Sequence, residues 1–445
     1  MDKSRLTFRR NASLIFLFGL IVALLWTFVI FKRLSVIHQL FDMDAFGAIG
    51  EHIYHGQKFS LGNGPTMRRA PLYPAIIALV FTIFGFDPTH RQQSYIPVFV
   101  LQCIFAGLAC LIVYTMARQL FNEKVAIIAG LLCAIWPQCL RYLGVVDDGT
   151  TDLLLITLFA WLSLRYYNEP NVKNGLLAGA AIGLAALTKP VPFLFPYPLV
   201  ALAWLHAKRG KKPFPAGGAI ALIGATLVLC LPWIIRNYIV SRGQFTGISS
   251  NASGEFLRGY INAQSKYFLL RKKFQGNWDW EANTYEAGIL RRFGLSFFTY
   301  KNGKIVGGMK ESIQNEIAKE KAENIVAKND VLHHPLIFLR KFIIQLFTFW
   351  YVVETPAKSI LVGFLAILAI AGAIRGVLIA RYNGVDVAPL VAVVLYFNII
   401  YAAILAFARY SMPLYPVLIT LAANGIAGKT KSGSDVKKTV SVDND

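Results

Sequence analysis

Apolar runs of about twenty residues recur along this chain, and they decide what it can fold into. The first, residues 13–31, reads SLIFLFGLIVALLWTFVIF. A helix needs ~20 such residues to cross a bilayer, and in hydrocarbon every backbone amide must be satisfied within the segment. Ten spans are read on this basis, at about 13–31, 95–117, 124–142, 150–167, 174–190, 192–206, 216–238, 358–376, 387–407 and 411–428. Composition agrees: 56% of the 445 residues are apolar and only 16% charged, against roughly 25% charged in an ordinary soluble domain. The expected fold is therefore an all-α polytopic membrane protein of about ten transmembrane helices, with further helices lying on its outer surface.

The net charge of +21 reads as basic cytoplasmic loops beside anionic lipid. Nucleic-acid binding would need a basic soluble domain or aromatic platforms, so no nucleic acid is expected as a partner. Putting KSRLTFRR, ARQLFNEK, RYYNEPNVKN, HAKRGKK, the Arg375–Arg381 segment and KTKSGSDVKK on one side orients all ten spans consistently, with both termini cytoplasmic. The five cysteines all fall in apolar segments and are read as small buried hydrophobes, with neither a disulfide nor a zinc pattern.

Two apolar stretches are read as outer interfacial helices rather than spans. Residues 71–86 are short and proline-rich, and residues 335–353 carry Arg340 and Lys341 near their middle, where a spanning helix would place charge at high cost. The chain then divides into an N-terminal transmembrane catalytic module (1–240), with outer loops at 32–94 and 143–149. A hydrophilic outer segment with its interfacial helix (241–357), the C-terminal spans (358–428) and a disordered tail (429–445) follow. Within the outer segment, 309–327 has the spacing of an amphipathic helix; so does 45–55, where His52 and His55 stand three apart. A His pair without a third ligand reads as surface rather than metal site.

This topology gathers polar groups at the outer face. Asp42 and Asp44 follow the first span, and Asp147, Asp148 and Asp152 lie in GVVDDGTTD. Arg68 and Arg69 precede Pro-Leu-Tyr-Pro, which holds Tyr73; Lys189 sits between spans five and six, Arg236 near the end of span seven and Arg409 between the last two. Carboxylates suit general-base work or metal binding, and arginines suit phosphate. Each also has a plainer reading as a solvated helix end or a snorkelling side chain.

The order of motifs resembles the integral-membrane GT-C glycosyltransferases, nearest the protein O-mannosyltransferase and lipid A aminoarabinose transferase group. The resemblance rests on Asp42 with Phe46, then HGQKF, RAPLYP, GVVDDGTTDLLL, GLLAGAAIGLAALTKP, PWIIRNYIVSRGQF and FARYSMPLYP. It implies a sugar, hexosyl or pentosyl, carried on a polyprenyl phosphate and passed to a lipid, glycan or protein acceptor at the periplasmic or lumenal face, as in a bacterial inner membrane. It implies Asp42 as catalytic base or, with a divalent cation, as metal-assisted activator. Asp148 corresponds to the second-loop acid, with Asp147 and Asp152 as alternatives, and Asp44 joins the catalytic set. Arg68, Arg69, Tyr73, Lys189, Arg236 and Arg409 would bind substrate. The competing readings are a lipid-linked sugar transporter and a non-catalytic envelope-assembly protein; a transporter would show pseudo-symmetric halves, and no internal repeat is visible.

Overall fold

The computed structural model describes residues 3–31, 42, 44–62, 64–211, 213–263, 287–295, 299–301, 304–307, 312–353 and 355–429. The tail from 430, and most of the stretch between 264 and 311, lie outside that description, as do residues 32–41 of the first outer loop.

The described chain is helical almost throughout. The first span is α1 (Lys3–Leu25), which continues as a π-helical turn, Trp26–Phe31. Then come α2 (Phe46–Tyr54), α3 (Leu72–Phe84), α4 (Ile96–Leu120) and α5 (Glu123–Ile135). They are followed by α6 (Gly149–Asn168), α7 (Val172–Ala186), α8 (Pro196–Arg209) and α9 (Ala216–Val240). The outer segment supplies α10 (Ala252–Asn262), α11 (Ile313–His333) and α12 (Pro335–Tyr351); α13 (Pro356–Tyr382), α14 (Ala388–Ala403) and α15 (Tyr415–Ala427) complete the chain. Two small antiparallel hairpins stand outside the membrane helices: β1 (Ser60–Leu61) with β2 (Gly64–Pro65), and β3 (Thr299–Lys301) with β4 (Lys304–Gly307).

Each of the ten expected spans falls on a helix. Four are long and apolar enough alone to cross a membrane: Leu6–Phe31, Arg91–Leu120, Ala216–Val240 and Pro356–Tyr382. The remainder are shorter, and the third breaks at Trp136–Pro137 because proline cannot continue the ladder of hydrogen bonds. Large apolar side chains stay exposed on the outward faces, such as Ile220, Val228 and Ile239 on α9 and Ile360, Phe364 and Ile367 on α13, as lipid-facing surfaces require.

Between helices in lipid the hydrophobic effect is weak, so close packing of small residues carries association. The α7–α9 pair shows this directly. Gly175 and Gly179, one turn apart, face the Gly218 and Leu222 carbonyls so closely that a Cβ on either would collide. The contact is closed by Thr226, whose hydroxyl donates to the Gly179 carbonyl at 3.0 Å. At the centre, Phe159 of α6 packs between Phe195 and Phe397, with ring centroids 5.4 and 6.1 Å away.

The amphipathic pattern at 45–55 forms α2, and α11 runs from Ile313 to His333, further than the expected 309–327. The Ser312 hydroxyl caps α11 by accepting from the Asn315 amide. Arg340 on α12 is exposed, as an interfacial helix suggests, whereas Lys341 is only 1% exposed. Its ammonium turns inward and donates to the Phe256 and Ala403 carbonyls at 2.9 and 3.0 Å, over the Phe256 ring at 3.6 Å. Two carbonyls and an aromatic face replace the water that a buried ammonium would otherwise lose. The five cysteines are free and buried.

Candidate active site

The loops that follow the first and third spans meet through their backbones. Asp42 forms an isolated parallel bridge with Val146, next to Asp147. Gln102, a polar residue inside span α4, ties the junction. Its side-chain amide donates to the Tyr73 hydroxyl (2.9 Å) and the Val145 carbonyl (2.8 Å), and its oxygen accepts from the Gly144 amide at 3.3 Å. The start of α3 joins the end of α7 through Leu72 N–H to the Leu187 carbonyl at 2.9 Å. Residues remote in sequence thus meet at one junction.

Asp42 sits at the amino end of α2. Its Oδ2 accepts from the Ala48 amide at 3.0 Å, as unpaired helix N-terminal amides favour. Its Oδ1 is buried without a hydrogen-bond partner. Burial pushes this carboxyl above the ordinary Asp range, against the Ala48 and Gly47 amides. Gly47 is needed here, because a Cβ would strike the Tyr95 hydroxyl.

Asp44 bridges two cations, with Oδ1 2.6 Å from Arg69 and Oδ2 2.9 Å from Arg409. Burial opposes its ionisation, but the two guanidiniums outweigh it and hold the carboxyl well below the usual range. Asp148 and Asp152 stand four residues apart at the start of α6, so they project on one face. Lys189, just beyond α7, reaches both, at 2.7 and 2.6 Å. Asp147 accepts from the Gly149 amide through Oδ1 (2.8 Å), while Oδ2 is buried without a hydrogen-bond partner. Burial, reinforced by Asp148, pushes Asp147 up to about 6, and burial likewise takes Asp148 to about 6 against the pull of Lys189.

The structure therefore brings Asp42, Asp44, Asp147, Asp148, Asp152, Arg69, Lys189 and Arg409 together. Tyr73 lies beneath, 2% exposed, its ring edge-on to Phe46 at 5.4 Å. Arg68 is half-buried on the same turn, its amide bonded to the Thr66 hydroxyl. Arg236 stands apart from the carboxylates: it donates to the Thr66 and Phe59 carbonyls at 2.6 and 3.0 Å and stacks over Trp233. That geometry braces the first loop. His52 is engaged by Ser60, and His55 is exposed.

Two further residues of the site region escaped the sequence reading. Gln102 was detectable as a lone amide within an apolar run. Glu316 of α11 accepts from the Thr66 hydroxyl (2.5 Å), the Met67 amide (2.8 Å) and the Ser250 hydroxyl (3.1 Å), binding the outer segment to the first loop. Nothing in its local pattern separates it from the other acids of α11. Among the described residues, no three His, Cys, Asp or Glu side chains converge as a metal-holding group.

A bundle of membrane helices whose loops converge on carboxylates and basic residues is similar in fold to solved GT-C proteins. The family described as dolichyl-phosphate-mannose-protein mannosyltransferase matches residues 68–235. The oligosaccharyltransferase of Archaeoglobus fulgidus in its apo form is similar at TM-score 0.55 and 15% identity, over 97% of this chain and 54% of that one. The same organism's AglB, in complex with an inhibitory peptide and a dolichol-phosphate, is similar at TM-score 0.54 and 15% identity, over 97% and 51%. ArnT from Cupriavidus metallidurans in the apo state matches at TM-score 0.38 and 15% identity, over 96% and 79%. This chain spans about half the length of the archaeal proteins. No curated protein matches it in sequence.

Proposed function

We propose that this chain is a glycosyltransferase. It moves a hexosyl or pentosyl unit from a polyprenyl-phosphate carrier to a lipid, glycan or protein acceptor at the outer face of a bacterial cytoplasmic membrane. Asp42 is the observation that carries the reading. One of its oxygens is held by the amino end of α2, and the other is buried without a hydrogen-bond partner. The partial family match and a lipid phosphate bound to a protein of similar fold support the carrier class.

In the step proposed, the acceptor oxygen attacks the anomeric carbon as its proton passes to Asp42 Oδ1. The bond from that carbon to the phosphate oxygen breaks, and its electrons leave with the lipid phosphate. A single displacement inverts the anomeric centre. The departing phosphate gains charge, so fixed cations lower the barrier; Arg69 and Arg409, with Arg68 and Lys189 nearby, are the groups for this. Each of Arg69, Lys189 and Arg409 is already shared with a carboxylate, so the phosphate would join existing pairs. Burial raises Asp147 and Asp148 to about 6, so they take up protons only below neutrality, and near pH 7 Lys189 and Arg409 offset their charge.

The test supplies purified protein with undecaprenyl-phosphate-linked sugars and an extract of membrane acceptors, and reads release of free undecaprenyl phosphate. Asp42→Asn is expected to slow turnover by about 10²–10⁴-fold while retaining lipid-phosphate binding. Undiminished turnover in a folded variant removes Asp42 from the mechanism. Mass spectrometry of envelope glycolipids with and without the gene would name the sugar.

A further inference from the structure

A cleft lies apart from the carboxylate site. It has a volume of about 300 Å³ and is formed between α10, the end of α11 and α12. Arg340, Lys341, His334, Asp330, Tyr260 and Ile337 line it. Ile337 lines it and is 53% exposed, and Leu332, Leu336, Leu339, Ile343 and Phe347 are exposed elsewhere on α11 and α12. Leu336, Leu339, Ile343 and Phe347 recur at three- and four-residue spacing, a single stripe along α12. In a membrane protein such a stripe is covered by acyl chains. Arg340 is exposed beside it, and His333 and His334 are exposed at its start.

The geometry points to this cleft as a headgroup site for a phospholipid carrying a monoanionic phosphodiester, its acyl chain lying along the α12 stripe. The charge balance favours an anionic headgroup. Arg340 and Lys341 line the cleft with one carboxylate, Asp330, so basic side chains outnumber acidic ones there. Lys341 acts as a fixed charge at the back wall: the Phe256 and Ala403 carbonyls hold its ammonium against the Phe256 ring. It has little donor capacity left for the ligand, and Arg340 and His334 at the mouth are the groups that can bond the phosphate. Burial draws Lys341 down to about 7, so an anion in the cleft favours its charged form.

The experiment exchanges the full chain into nanodiscs of phosphatidylcholine with or without one-fifth phosphatidylglycerol, extracts it gently, and counts retained lipid by native mass spectrometry. One phosphatidylglycerol per chain is expected. Retention should fall at least five-fold in the double variant Arg340→Gln, His334→Gln and stay unchanged in Arg381→Gln, an exposed arginine at the far end of α13. Equal retention of phosphatidylcholine overturns the proposal, as does an equal loss in the Arg381 variant. Displacement of phosphatidylglycerol by undecaprenyl phosphate in this assay also overturns it, because the cleft would then belong to the donor lipid. None of these readouts depends on the proposed transferase activity.

Discussion

At the scale of single residues, the site holds acids in two electrostatic conditions. Asp44, between two guanidiniums, is ionised at any physiological pH. Asp147 and Asp148 sit near 6, above the ~3.9 of an unfolded Asp. Between those values the folded chain binds more protons than the unfolded chain, so stability falls as pH rises. Their contribution is full below ~4 and is lost once pH passes about 6. Two units at ~1.4 kcal/mol each give roughly 3 kcal/mol for one group, and the pair gives less than twice that because the two are coupled. Asp147→Asn keeps an acceptor for the Gly149 amide and removes the buried charge. Its melting temperature in detergent should match wild type at pH 4.5 and exceed it at pH 7.5; a pH-independent difference would contradict the raised titration. Arg409 tests the other condition. Arg409→Gln leaves Asp44 paired with Arg69, and a lost charge-assisted hydrogen bond is worth ~1.5–3 kcal/mol. Turnover of a lipid-phosphate donor should drop about 10–100-fold, and Arg409→Lys should recover only part of it, since an ammonium cannot make a planar fork. Steady-state kinetics over a donor series would read both.

At the scale of elements, what the sequence shows and hides follows from how locally each feature is encoded. Span length is a property of consecutive residues, so ten helices were legible from apolar runs. The Gly175, Gly179 and Gly183 repeat is also visible, but which helix it meets is decided by packing, and α9 appears only in the structure. Gly179→Val should cost about 1–3 kcal/mol by overpacking this contact, lowering the melting temperature while leaving Gly175-side packing as the residual hold. Unchanged melting would mean the helices separate freely there. Long-range ties were the least legible. Glu316 reaches Thr66 across 250 positions, and one Glu among several on a helix carries no local mark of that bond. Arg236 invited a phosphate-binding reading because an arginine at a span end is ambiguous; its partners are backbone carbonyls of the first loop. Lys341 was expected at the membrane surface, since sequence shows a charge without showing the carbonyls that take it in. Glu316→Ala should leave the Thr66 and Ser250 hydroxyls and the Met67 amide short of an acceptor, costing roughly 1–3 kcal/mol if all are buried. Hydrogen exchange should then quicken in α11 and in residues 59–67 together; quickening in α11 alone would show that the two elements are not coupled.

For the whole molecule, the site exists only if Asp42, Arg69, Asp147, Lys189 and Arg409 open on one side of the bilayer, and the fold itself brings them together from five stretches of chain. The side we propose rests on charge: HAKRGKK and the Arg375–Arg381 segment at the end of α13 are basic, and basic segments stay in the cytoplasm. The orientation can be read directly because the five native cysteines are buried and give little background to a thiol reagent. Gln57 is exposed within the 32–94 loop, and Lys208 is exposed at the end of α8. A membrane-impermeant maleimide added to spheroplasts should label Gln57→Cys at once and Lys208→Cys only after the membrane is opened. Labelling of both from outside would break the single orientation on which the ten spans rest. Labelling of Lys208→Cys alone would turn the molecule over, and the site would then meet cytoplasmic nucleotide sugars, a different donor class from the lipid-borne one.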